Sequence, residues 1–398
     1  MAKSTSGAGS ARPAVSPPRR SGGARPVSAP ADATRVPGKR VVRVRSAAAP
    51  TPAPPKAVPK AVPKGSAVSA GPRTRSTASA GARVSAARRP AAVAVPATEP
   101  AGRAHAPREQ GAIPASLAIG DAAGVGPTGR PRPHFPTPAP LDRHGPARIL
   151  AMCNQKGGVG KTTSTINLGA ALAEVGRTVL LVDFDPQGAL SVGLGVNPMQ
   201  LDRTIYNLLM EPDIAAQDVM LKTDIAGLDL LPSNIDLSAA EVQLVNEVAR
   251  EQTLRRILGP VQDDYDVILV DCQPSLGLLT VNALTAAHGV IIPLECEFFA
   301  LRGVALLIQT IEKVRERLNP KLELEGILAT MYDSRTLHGR EVLARVVEAF
   351  GEKVFHTVIN RTIRFAETTV AGEPITTYAS SSHGASSYRE LAKEVLSR

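Results

Sequence analysis

The sequence predicts an α/β protein: a doubly wound, mostly parallel sheet carrying a phosphate-type loop, preceded by a long disordered tail. Three observations predict it. Short apolar runs alternate with helical patterns through residues 148–398, the order that buries strands beneath helices on both faces of a sheet. A glycine-rich turn stands between the first apolar run and the first helical pattern. The composition also breaks sharply near residue 148.

That break divides charge as well as residue type. Residues 1–148 carry 24 Lys/Arg and 5 Asp/Glu, whereas residues 149–398 carry 22 and 31, so a net +19 precedes a net −9. The first 145 residues are mostly Ala, Pro, Ser, Gly, Arg and Val, with Phe135 the single Phe, Tyr or Trp among them. Such a segment buries too little apolar area to offset its ordering entropy, so disorder is expected over 1–145 and a folded domain over 146–398. A basic tail of this kind is a solubilising segment or a sequence-blind ligand for polyanions.

Three cysteines are no disulfide framework and fit a reducing cytosol. No apolar run reaches the ~18 residues of a membrane span, and the start MAKSTSGAGSARP builds no secretory apolar region. A cytoplasmic protein is expected.

The elements follow in order. RILAMCN (148–154) is short, apolar and bounded by turn formers, which predicts a buried strand. A helical pattern covers 162–175, and Gly176 ends it before a second strand at 178–183. Further strands are predicted at 228–232, 266–271, 289–294, 325–331 and 353–359. Helices are predicted at 236–258, 276–287, 299–318, 338–350 and 386–397.

The turn after the first strand reads NQKGGVGKTT. A phosphate site needs successive backbone N–H groups pointing inward. Gly157, Gly158 and Gly160, with Val159 between them, permit that path, and the following helix adds its positive end. Lys161 is placed to neutralise β/γ-phosphates, and the Thr162 hydroxyl to ligate Mg²⁺, with Thr163 beside it. Asp271 ends an apolar strand, where a carboxylate can hold Mg²⁺ through water. Asp183 and Asp185 close the second strand.

KGGVGKTT (156–163), VDFDPQG (182–188) and the strand ending in Asp271 followed by CQPSLG together resemble the ParA/Soj chromosome-partitioning ATPases. These are P-loop ATPases of the ParA/MinD class, with a deviant Walker A loop. The resemblance runs from about residue 148 to the C-terminus and points to an actinobacterial member. It implies ATP and Mg²⁺ as cofactors, and ATP hydrolysis to ADP and phosphate. Lys156 is then expected to reach across an ATP-sandwich homodimer, and Asp185 to position the attacking water. Arg335 and Arg364 match positions that contact DNA phosphates without sequence preference. The implied partner is a ParB-like centromere-binding protein, and the implied location is cytoplasmic at the nucleoid.

The chain also departs from the pattern. Gln155 stands where the usual spacing has Gly, Gln273 precedes Pro274 where two prolines are usual, and 360–362 reads Asn-Arg-Thr where the family commonly reads Pro-Arg-Asn. The rival readings are a MinD-like membrane ATPase, a metabolic P-loop enzyme, and a scaffold that positions a protein complex. The final segment places Tyr388, Leu391, Ala392, Val395 and Leu396 on one face, a core-docking stripe without a basic lipid-facing flank. No membrane partner is expected.

Overall fold

The computed structural model describes residues 124–297 and 300–398. The expectation of disorder over 1–123 lies outside the described residues.

The chain enters β1 (Arg148–Met152), turns through the glycine-rich loop into α1 (Lys161–Glu174), and returns in β2 (Val179–Phe184). Three short helices follow: α2 (Ala189–Gly193), α3 (Ile205–Met210) and α4 (Ala216–Val219). Next come β3 (Leu221–Lys222), β4 (Leu228–Leu231), α5 (Leu237–Gln243), α6 (Thr253–Leu258), β5 (Val267–Cys272) and α7 (Leu278–Ala286). The last part holds β6 (Gly289–Glu295), α8 (Ala300–Arg317), β7 (Glu323–Thr330), α9 (Leu337–Phe350), α10 (Arg364–Ala371), α11 (Ile375–Tyr378) and α12 (His383–Leu396).

The sheet order is β3-β4-β2-β5-β1-β6-β7, and every pair is parallel except β3–β4. The chain moves to one side of β1 first and later to the other, so a crevice opens at the carboxyl end of β1. The glycine-rich loop lies there. Residues of β5 alternate between two apolar layers: Ile268 and Val270 face one, Val267 and Leu269 the other. Burial on both faces explains why each central strand reads as an unbroken apolar run.

Three expectations change. The helix expected at 236–258 is broken between α5 and α6, where Ala249 takes φ 54° and two single 3-10 turns replace the continuous helix. The segment expected as a strand at 353–359 meets β7 at an isolated bridge, Ile327 to Val354, and through the Ile359 N–H to Ala329 bond, and a second bridge, Tyr332 to Asn360, lies just beyond both segments. Between these contacts the His356 and Thr357 N–H groups donate instead to the Glu394 carboxylate of α12, at 2.8 and 2.9 Å, which interrupts the ladder.

The third change concerns the tail boundary, because residues 124–147 lie on the domain as an irregular strap. Arg130 donates to the Gly351 and Val354 carbonyls, Arg177 to the Ala139 carbonyl, and Ala147 N–H to Gln262. The strap is almost free of regular structure, so the backbone bonds that fix it leave no periodic signal in its sequence.

Candidate nucleotide site

The loop between β1 and α1 is held from both ends. Asn154 donates from Nδ2 to the Pro293 carbonyl of β6 at 2.7 Å, and its Oδ1 accepts from Lys156 N–H at 2.9 Å. Thr330, at the end of β7, donates to the Val159 carbonyl at 2.8 Å. Gly158 and Gly160 adopt φ 75° and 84°, the left-handed region that a side chain would strain. A Cβ at Gly158 would meet nothing within 4 Å, so this glycine answers to backbone path rather than crowding.

Lys161 begins α1 and is 6% exposed; its Nζ donates to the Lys156 carbonyl at 3.3 Å, across the loop. Thr162 Oγ1 donates to Asp271 Oδ2 at 2.7 Å, and Thr165 Oγ1 lies 3.4 Å from Asp271 Oδ1. Register explains the acid cluster. Asp271 sits opposite Asp183 on β2 and Met152 on β1, which brings two strand-end carboxylates side by side.

Burial pushes the Asp271 carboxyl up to about 8; the neighbouring Asp183 charge adds to this, while Thr162 and Lys161 oppose it. Asp183 is raised to about 6, again by burial, although Ser191 donates to it from N–H and Oγ at 2.9 and 2.7 Å. Asp185 is 9% exposed and accepts from Gln187 N–H at 3.0 Å. Asp271 thus meets the amino end of α1, and the Asp183 and Asp185 charges act on it. A hydroxyl and a carboxylate 2.7 Å apart, amid this excess of negative charge, fit a hard divalent cation with oxygen ligands.

The other expected site residues lie apart from this cluster. Lys156 leaves the loop outward, 45% exposed at its side chain, and pairs with Glu297 at 2.5 Å and Glu295 at 3.0 Å. Glu297, and then Glu295, hold its ammonium above the usual lysine range against the effect of burial. Arg361 shares Glu295, at 2.9 Å. Arg335 is 87% exposed at its side chain and forks onto Asp333, whose carboxyl it holds down to about 2. Arg364 opens α10 and pairs with Glu367. Their two loops are stitched together, since Tyr332 N–H donates to Ile359 and Arg361 N–H to Tyr332.

A cavity of about 320 Å³ lies beyond Gly160 and Thr163, walled by Met331, Asn360, Phe365 and Tyr388. It borders 360–362, where the sequence departs from its resemblance, and the Phe365 wall is a feature the sequence reading missed. A larger recess, about 420 Å³ between α3, α4 and α6, carries none of the loop's groups, so volume alone does not locate the site.

All three cysteines are buried. Cys153 and Cys272 are buried with their Sγ atoms 2.9 Å apart, and the Cys272 thiol is pushed well up by that contact and by burial. Burial raises Cys296 to about 12. The apolar stripe of α12 is spent inside the domain: Tyr388, Leu391, Ala392 and Val395 are buried with Leu168 and Leu172 of α1. Among the described residues no helix is long and apolar enough to cross a membrane.

A family described as an AAA domain matches residues 147–324. Soj of Bacillus subtilis, described as a sporulation initiation inhibitor protein, is 46% identical over 248 residues, covering 62% of this chain and 98% of Soj. The chromosome-partitioning protein ParA of Caulobacter vibrioides is 47% identical over 255 residues, covering 64% and 95%. The chain belongs to the ParA/Soj family of ATPases.

An uncharacterized Mycobacterium tuberculosis protein is 66% identical over 275 residues, covering 69% of this chain and 86% of that one. Among solved structures, one from Mycobacterium smegmatis, titled cobyrinic acid a,c-diamide synthase with bound ADP and magnesium, is 45% identical with a TM-score of 0.56. The match covers 63% of this chain and 94% of that one. The cell division ATPase MinD of Pyrococcus furiosus is 27% identical with a TM-score of 0.53, covering 63% and 99%. The sequence readings of ATPase class and P-loop α/β fold hold.

Proposed function

We propose that this chain is a partition ATPase that closes into a homodimer around Mg²⁺-ATP and binds DNA without sequence preference in that state. A ParB-like partner stimulates hydrolysis, and the dimer then leaves the DNA. The work is done in the cytoplasm at the nucleoid. The observation that carries this reading is the convergence of Lys161, Thr162 and Asp271 at one corner, with Lys156 on the outer side of the same loop.

Each residue has a part. The N–H groups of residues 157–163 and the Lys161 ammonium hold the β/γ-phosphates. Thr162 and Asp271 would hold a Mg²⁺ ion, which would supply charge neutralisation for phosphoryl transfer. Asp185 orients the attacking water and receives its proton. Lys156 exchanges Glu295 and Glu297 for the partner subunit's phosphates. The cavity beside Phe365 takes the base. Arg335 and Arg364, on stitched loops, fork onto DNA phosphate oxygens.

Asp185→Ala tests the reading. With Mg²⁺-ATP this variant is expected to bind nucleotide normally and hydrolyse it at least ~100-fold more slowly. It should also sediment as a dimer that retains a random-sequence duplex. Wild-type turnover, or a monomer in ATP, overturns the assignment.

A further inference from the structure

The strap builds a recess that the nucleotide site does not use. Residues 124–132 close a tight turn through three backbone bonds: Gly126 N–H to Arg130, Gly129 N–H to Gly126, and Arg132 N–H to Gly124, at 2.8, 3.0 and 2.8 Å. Arg130 clamps the turn to the domain through the Gly351 and Val354 carbonyls at 3.1 and 2.5 Å. Across from the turn stand Arg340 of α9, His383 of α12, and Ser334, the neighbour of Arg335. The space between is about 270 Å³, and no Asp or Glu lines it.

Two guanidinium groups line this recess. Arg132 and Arg340 have no carboxylate within 4.0 Å among the described residues, whereas Arg130, Arg335, Arg361 and Arg364 each have one. Backbone carbonyls orient both. Arg132 Nε donates to Val125 at 3.3 Å, and Arg340 Nη1 donates to Ser334 at 2.8 Å. Each keeps further N–H donors for an anion, in the planar fork that suits phosphate oxygens. Two guanidinium groups without a carboxylate partner, on one acid-free recess, are complementary to an anion.

We propose that this recess seats a phosphate group of the DNA backbone, extending the surface that Arg335 begins. The inference rests on the DNA reading above. It gives the strap a purpose: the turn brings in Arg132 as the second jaw of a clamp whose first jaw, Arg340, belongs to the domain.

The test uses the full chain, a fluorescent random-sequence duplex and a KCl series, with and without Mg²⁺-ATP. Replacing both arginines (Arg132→Ala with Arg340→Ala) is expected to weaken ATP-dependent binding about tenfold. The log–log salt slope should become shallower by ~0.9 for each phosphate that is no longer neutralised. ATP hydrolysis without DNA stays at the wild-type rate. The double-Lys variant should keep the slope while losing part of the affinity, because lysine keeps the charge without the fork.

Wild-type affinity and slope in the double-Ala variant overturn the proposal. Calorimetry with inorganic phosphate distinguishes the source of the anion. Phosphate heat that the double-Ala variant loses, with an unchanged DNA slope, assigns the recess to a free anion and also overturns it. A wild-type protein without ATP-dependent DNA retention removes the reading beneath it. Retention lost in Arg335→Glu with Arg364→Glu, yet kept in double-Ala, removes the recess alone.

Discussion

Lys161 and Lys156 sit five residues apart on one loop, yet their surroundings predict opposite phenotypes. Lys161 is buried inside the loop, its ammonium 3.3 Å from the Lys156 carbonyl. Lys161→Ala should therefore cost nucleotide binding about 3 kcal/mol, over ~100-fold in Kd by calorimetry, since a charged hydrogen bond in a partly dry site is lost. Unchanged affinity would remove the phosphate-loop assignment. Lys156 rests outside on Glu295 and Glu297, so Lys156→Ala should leave monomer affinity within about threefold while ATP-driven dimerisation disappears in sedimentation. A normal ATP dimer would return this lysine to a surface ion pair. Lys161, Thr162 and Asp271 were legible because strand, loop and helix follow in the order a phosphate site demands. Asn154 and Thr330, which pin the loop, were not, because their partners lie 139 residues away for one and 171 for the other. Side-chain pairing at such separations leaves no local pattern.

Element ends, rather than element interiors, decide how the strap and sheet join. Asp266, just before β5, accepts from Thr178 N–H at 2.7 Å, Gly145 N–H at 3.2 Å and His144 Nδ1 at 2.7 Å. Burial works to raise its pKa, but the Thr178, His144 and Gly145 donors outweigh it and leave the carboxyl below its ordinary value. Asp266→Ala strands two backbone N–H groups and should cost about 2–3 kcal/mol, read as a lower urea midpoint at pH 7. Because the folded pKa is depressed, the carboxylate's contribution is complete above about pH 4 and fades as acid protonates it. The gap between wild type and variant should narrow below that pH; a constant gap would mean that packing, not charge, is lost. The central strands were legible as apolar runs because both their faces are buried. The segment 353–359 has the same apolar look but spends two N–H groups on Glu394, a partner near the end of the chain that no local reading supplies. The break at Ala249 is equally silent, since alanine gives no warning of φ 54°.

At the scale of the whole molecule, charge is distributed against the proposed task. Residues 149–398 carry a net −9, so a DNA surface on the domain must work as a local patch within a repelling field. Residues 1–123 carry 20 Lys/Arg against 4 Asp/Glu, enough charge to hold DNA with or without nucleotide. The two contributions separate experimentally. Deleting residues 1–123 keeps the turn at 124–132 and should remove a strongly salt-dependent component of DNA binding that is equal with and without ATP. Arg335→Glu with Arg364→Glu in the full chain should instead remove the ATP-dependent increment, since two attractions become two repulsions, and leave the nucleotide-independent component in place. Each phosphate neutralised by the leading 123 residues steepens the log–log salt slope by ~0.9, so the truncated protein should show the shallower line. Anisotropy of all three proteins over a KCl series, with and without Mg²⁺-ATP, resolves both components. If truncation abolishes the ATP-dependent increment while the double-Glu protein retains it, the switch lies in the basic leading residues, and the arginines of the domain serve only Asp333 and Glu367.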